Sequence, residues 1–353
     1  MRKPYIDNLR TFTVYLVVIY HAFYIFNGVG ILGGISGAKN IPVLDTVAGV
    51  IYPWFMVLLF VVAGMSARSA LEKYTAREFI KKRAYKLLLP STAGLFIVHW
   101  ITGYLNIKMG GGLEYIHGPM IYPIAAISGT GPLWFVQMLF LFSCLLVLLR
   151  RLDKEDSIWK MCGKFNLIAV ILLFLPIYGA SQILNMPVLT MYRFGIYLTA
   201  FLIGYYVFSH EIVLYRIERA QVPICAVAAA LGTLYAMGYH DTDYTSPECL
   251  QDILTNMYLW AAVMAIISCF REHLDIENPF TYRMARSSYG IYILHYPLML
   301  ASGYLLCTYL DLPAILNYLI VLLIGLFLTL PLYRLVRRIP GISQMVLGLK
   351  NIW

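Results

Sequence analysis

The stretch "YIDNLRTFTVYLVVIYHAF" (residues 5–23) decides how this chain is read. Most of it is an apolar run of the kind that crosses a membrane, yet Asp7 and Arg10 stand at its start and His21 near its end. A helix rises about 1.5 Å and turns about 100° per residue. Arg10 and His21 therefore lie roughly 16 Å apart along the axis and about 20° apart around it, on one stripe. An imidazole at that depth is costly unless it faces the interior of a bundle or a wet cavity. The stretch predicts a membrane helix with one polar, working face. A histidine that only hydrogen-bonds a neighbouring helix is the plainer alternative.

The rest of the chain extends the membrane reading. Of 353 residues, 60% are hydrophobic and 13% charged, against about 25% charged in an ordinary soluble domain. Windows apolar enough to cross hydrocarbon about 30 Å thick fall near 11–28, 47–68, 87–106, 132–149, 166–184, 190–208, 222–240, 253–270, 288–307 and 314–333. They predict an all-α, polytopic bundle of about ten transmembrane helices. "LEYIHGPMIYPIAAI" (residues 113–127) is short and holds two prolines, which suits a re-entrant or surface segment. With the N-terminus cytoplasmic, only Lys39, Lys108 and Arg193 of the 27 basic residues fall on the outer side. The inner side takes the others, from Arg2 and Lys3 to Lys350. That asymmetry predicts both termini cytoplasmic. It also explains the net charge of +9 as an orientation signal, not a nucleic-acid footprint. Arg2 and Lys3 superficially suggest a signal peptide, but no A-x-A site follows, so an uncleaved first helix is expected. The six cysteines show neither disulfide nor metal-ligand spacing. A single integral domain over 1–353 in the cell membrane, without an appended soluble domain, is the expected organisation.

Three further places hold chemistry. "YTAREFIKKRAYKLLLP" (residues 74–90) carries Lys82, Arg83 and Lys86 at the inner end of a span, with Lys82 and Lys86 on one helical face. Such a cluster suits a nucleotide phosphate or anionic lipid headgroups; a topology signal is the alternative. "ARSSYGIYILHYPLML" (residues 285–300) sets Tyr289, Tyr292 and His295 over a face about 120° wide, with His295 at a depth similar to His21. Pro297 can free a carbonyl there. "SGTGPLWFVQMLF" (residues 128–140) brings Trp134 and Phe135 to the outer end of a span, as substrate contacts or as an interfacial aromatic belt. Glu114 and His117 in the outer loop could meet a polar substrate or be plain solvated loop.

Together these stretches resemble the acyltransferase-3 family of integral membrane acyltransferases. Asp7, Arg10 and His21 match its D-x-L-R start and R-x10-H motif. "FIKKRAYKLLLP" is similar to its R-x-x-R-L-x-P element through Arg83, Lys86 and Pro90, with Lys86 where an arginine is common. "GPLWFVQMLF" looks like its L-W-F segment, "SSYGIYILHYPL" like S-Y-x-x-Y-x-x-H-x-P, and residues 190–207 like a further family segment. The G-x-G-P-L-W-F form is similar to the branch that modifies periplasmic glucans.

The resemblance implies transfer of an acyl group, acetyl or succinyl, from cytoplasmic acyl-CoA to a hydroxyl of a sugar or cell-envelope glycan. Arg10, Lys82, Arg83 and Lys86 would hold the donor phosphates. A pantetheine arm reaching roughly 15–20 Å, at about 1.2–1.3 Å per bond, would bring the thioester towards His21. His21 would act as general base or as transient acyl carrier. His295, Tyr289 and Tyr292 would orient it or polarise the carbonyl, and Trp134, Glu114 and His117 would meet the acceptor. The rival from another class is a proton- or ion-coupled transporter or flippase using the same polar stripe.

Overall fold

The computed structural model describes residues 3–186 and 189–349. Arg2 and Lys350, both counted in the charge distribution, lie outside the described residues. Helix makes up 78% of the structure and no strand forms among the described residues, so the chain is all-α. The principal helices are α1 (Pro4–Tyr24), α2 (Pro42–Leu71), α3 (Ala76–Met109), α4 (Ile121–Ser128), α5 (Leu133–Leu152), α6 (Leu167–Ser181) and α7 (Phe194–Tyr206). They continue with α8 (Glu211–Arg219), α9 (Gln221–Gly238), α10 (Ile253–His273), α11 (Pro279–Tyr309) and α12 (Ala314–Arg338).

Each apolar window of the sequence coincides with a helix, but the helices are not equivalent. Among the described residues seven are long and apolar enough to cross a membrane: α2, α3, α5, α9, α10, α11 and α12. The pair α7 and α8, bent by 103°, makes an eighth if counted as one span. The 21-residue α1 is long enough, but Asp7, Asn8, Arg10 and His21 dilute its apolar run. The shorter α6 is apolar throughout. Multiple apolar helices of this length make the chain a multi-pass membrane protein.

The helices fall into two compact groups. The first comprises Met1–Thr13, Gly49–Lys81 and Leu141–Ala285. Within it α2 and α7 touch backbone to backbone: a Cβ on Gly64 would stand 2.0 Å from the Phe201 carbonyl oxygen, and one on Gly204 2.0 Å from that of Val61. Small residues at such crossings give membrane helices the close packing that lipid cannot drive hydrophobically. At the end of α2 the buried Arg68 donates to Glu72 and Asp156, each at 3.0 Å, and its guanidinium lies 4.1 Å over the Trp159 ring.

The second group comprises Val14–Ala48, Lys82–Phe140 and Arg286–Trp353. Here α3 is interrupted by two π-helical turns, Ala84–Leu88 and Leu95–His99. A π turn absorbs one extra residue. Pro90 follows Arg83 by seven positions, one more than R-x-x-R-L-x-P spacing allows, so Pro90 is out of register with that element, and the first π turn lies in the same stretch. It also changes the expected Lys82–Lys86 register, which assumed an uninterrupted α-helix. Residues 113–127 form two 3₁₀ turns, Gly112–Tyr115 and Gly118–Met120, followed by the eight-residue α4. That helix folds back onto α3, with Tyr122 donating to the Phe96 carbonyl at 2.8 Å. Pro119 lies in the second 3₁₀ turn and Pro123 in the first turn of α4, where a missing amide hydrogen is tolerated, and the segment is not a full-length span.

Candidate active site

The second group holds a histidine cluster. On α1, His21 Nδ1 lies 3.0 Å from His295 Nε2 on α11. The other nitrogen of His295, Nδ1, is 3.1 Å from the Ile291 carbonyl one turn back on its own helix. A carbonyl only accepts, so His295 Nδ1 carries a hydrogen. In a neutral ring its Nε2 then accepts, and His21 Nδ1 must donate. The lone pair of His21 is thereby placed on Nε2. His295 is fully buried, whereas His21 keeps part of its surface accessible. His21 is therefore the member of the pair with accessible surface, and the nitrogen carrying its lone pair can act as a base.

The tyrosines of α11 serve the surrounding backbone. Tyr289 donates to the Lys86 carbonyl. Tyr292 donates to the Pro132 carbonyl at 2.7 Å and Tyr296 to that of Gly33 at 3.2 Å. The hydroxyl hydrogens of Tyr289 and Tyr292 are thus bonded to main-chain carbonyls, not to either histidine. Their rings still shape the site: Tyr292 stands 5.9 Å from the His295 ring centroid. Tyr296 stands 4.7 Å from that of His21.

The loop "SGTGP" explains itself here. A Cβ on Gly129 would lie 2.1 Å from the His99 carbonyl oxygen. Gly131 has a φ of +44°, and a Cβ there would meet the Tyr296 ring at 3.1 Å. Neither position admits a side chain without displacement, and the turn delivers Trp134 buried at the start of α5. Phe135 packs edge-on against Tyr292, ring centroids 5.7 Å apart.

The other expected residues are distributed unevenly. Lys82 and Lys86 are exposed and Arg83 is half-buried, all at or beside the first π turn of α3. Arg10 lies in the first group and is held by Asp7 at 2.5 Å. Glu114 and His117 stand exposed in the loop before α4, and no hydrogen bond or ion pair joins them to the histidines among the described residues. Two contributors were missed in the sequence. His99 sits fully buried at the end of the second π turn, its Nε2 2.9 Å from the Ile293 carbonyl. Tyr296, beside His21, is the other. An ionisable residue inside an apolar window was signal enough for His99, by the argument already applied to His21.

The acyltransferase-3 family model, described as an acyltransferase domain, matches residues 3–334. The chain belongs to the acyltransferase-3 family. It is a multi-pass membrane acyltransferase, and the match favours group transfer over the transporter reading of the polar stripe. No curated protein and no solved structure matched it.

Proposed function

We propose that this acyltransferase moves an acetyl or succinyl group from cytoplasmic acyl-CoA to a hydroxyl of a sugar or cell-envelope glycan. In this reading the protein resides in the cell membrane, crosses it about ten times and keeps both termini cytoplasmic. The observation that carries the reading is the His21–His295 pair, which leaves the accessible His21 with its lone pair on Nε2. His21 Nε2 takes the proton of the acceptor hydroxyl as its oxygen attacks the thioester carbonyl. The carbon–sulfur bond breaks, the thiol leaves as thiolate, and the proton held by His21 returns to it. His295 accepts from His21 Nδ1 throughout, fixing tautomer and ring orientation as the third member of a catalytic triad does. Arg83, Lys82 and Lys86 supply positive charge for the donor phosphates at the inner surface. Trp134, Glu114 and His117 belong to the acceptor side, and the Gly129–Pro132 turn suits a glucan acceptor.

The test is thiol release from acetyl-CoA and succinyl-CoA by the protein in nanodiscs, with a glucan oligosaccharide as acceptor. Turnover that vanishes in His21→Ala while donor binding persists is the expected result. A His21→Ala protein that transfers at the normal rate overturns the assignment of the base. Absence of turnover with either donor in the unaltered protein overturns the choice of donor.

A further inference from the structure

Pro297 lies inside α11 and has no amide hydrogen, so the carbonyl four residues earlier loses its helical partner. That carbonyl is Ile293, two residues before His295. It is the carbonyl to which His99 Nε2 donates at 2.9 Å. A buried carbonyl left without a donor is costly in a membrane, and His99, fully buried on α3, supplies the hydrogen that proline removed. The bond also settles the His99 ring: with Nε2 protonated, Nδ1 is the acceptor, and it has no partner of good geometry among the described residues. The Gly129 backbone and the Gly131 turn lie beside it.

We propose that His99 is a positioning residue, acting through the gap that Pro297 leaves in α11. It ties the Ile291–His295 turn to α3 and so holds His295 at the distance where it accepts from His21. This rests on the reading of His21 and His295 as the reacting pair. A tie made by a side chain differs from a helical bond in one respect: it fixes the turn carrying His295 to a second helix, not to its own. The π turn Leu95–His99 is what brings the imidazole of His99 round to that carbonyl, because it shifts the helical register just before it.

The experiment is a double-mutant cycle in nanodiscs between His99→Phe and Pro297→Ala, with His99→Gln as the conservative variant. Both thiol release from acetyl- or succinyl-CoA and thermal unfolding are measured. Pro297→Ala restores an amide hydrogen to Ile293 from within α11. His99→Phe alone is expected to lower kcat about tenfold, the effect of one buried hydrogen bond, with KM for the donor unchanged. His99→Gln, whose amide nitrogen can reach the place of Nε2, should recover most of that loss. In the Pro297→Ala background the same His99→Phe change should cost no more than about twofold, because the carbonyl is no longer vacant. An equal loss in both backgrounds overturns the proposal, as does a His99→Gln variant as impaired as His99→Phe. If the unaltered protein consumes neither donor, the proposed donor fails. The coupling of the two substitutions in unfolding temperature then still decides whether His99 satisfies the carbonyl.

Discussion

At the scale of single residues, the division of labour between His21 and His295 rests on which nitrogen faces what. His21 carries its lone pair on Nε2, as the proposed base requires, only while His295 accepts from its Nδ1, and His295 accepts only because Ile291 occupies its other nitrogen. His21→Ala should therefore lower kcat by roughly 10²–10⁴-fold, the usual worth of a general base, with donor binding retained in an equilibrium binding assay. In the proposed mechanism the reacting form of His21 is the neutral ring, so the rate should fall as pH drops and the imidazole becomes protonated. In His21→Ala that acid limb should disappear from the pH–rate profile. Tyr292→Phe distinguishes positioning from acid catalysis. Loss of its bond to Pro132 should cost about 1 kcal/mol, near fivefold in kcat, whereas a residue polarising the carbonyl would cost about 10²-fold or more. The identity of both histidines was legible in the sequence, because each is an ionisable group in an apolar helix at matching depth. Their contact was not, since nothing local to residues 5–23 or 285–300 says that these two segments are neighbours.

At the scale of elements, the site depends on how closely backbones approach. Gly129 faces the His99 carbonyl with no room for a methyl group, so Gly129→Ala must push α4 away from α3. Gly131→Ala meets both a positive φ and the Tyr296 ring, at a cost of about 1–3 kcal/mol. Thermal unfolding and thiol release should both fall in these variants, with Gly129→Ala the more severe. In the first group, Arg68→Met leaves the Asp156 carboxylate without its closest cation. Asp156 is part-exposed and keeps Arg150 at 3.7 Å, so the loss should lower stability by about 1–2 kcal/mol, read as a fall in unfolding temperature. Hydropathy was sufficient to place these helices along the chain but not to set their ends: the window 288–307 is part of α11, which starts at Pro279, and the window 11–28 runs past the end of α1 at Tyr24. The π turns of α3 were not legible, because an inserted residue leaves composition and hydropathy unchanged and only the main-chain hydrogen bonds reveal it.

At the scale of the whole molecule, orientation in the bilayer carries the chemistry, since the proposed donor is cytoplasmic and the proposed acceptor lies outside. The positive-inside asymmetry predicts that a lone cysteine at Lys82 is labelled by a membrane-impermeant reagent only from the cytoplasmic side. One at Glu114 should be labelled only from the outside. Both positions are exposed, so labelling reports the side and not burial. Labelling of both from the same face would overturn the proposed arrangement of spans.

What the sequence determined by itself was the class of the molecule: an all-α membrane protein with a polar first helix and the ordered motifs of an acyl-transfer family. Such properties are carried by hydropathy over some twenty residues and by the identity of the residues themselves, and they need no partner segment. The tertiary structure alone decided that His21 meets His295 and that Tyr289 and Tyr292 are bonded to main-chain carbonyls. It also decided that a histidine on α3 fills the gap left by a proline on α11. Those facts depend on atoms within about 3 Å of each other but far apart along the chain, and a hydrogen bond falls off too steeply with distance and angle for any local pattern to encode it.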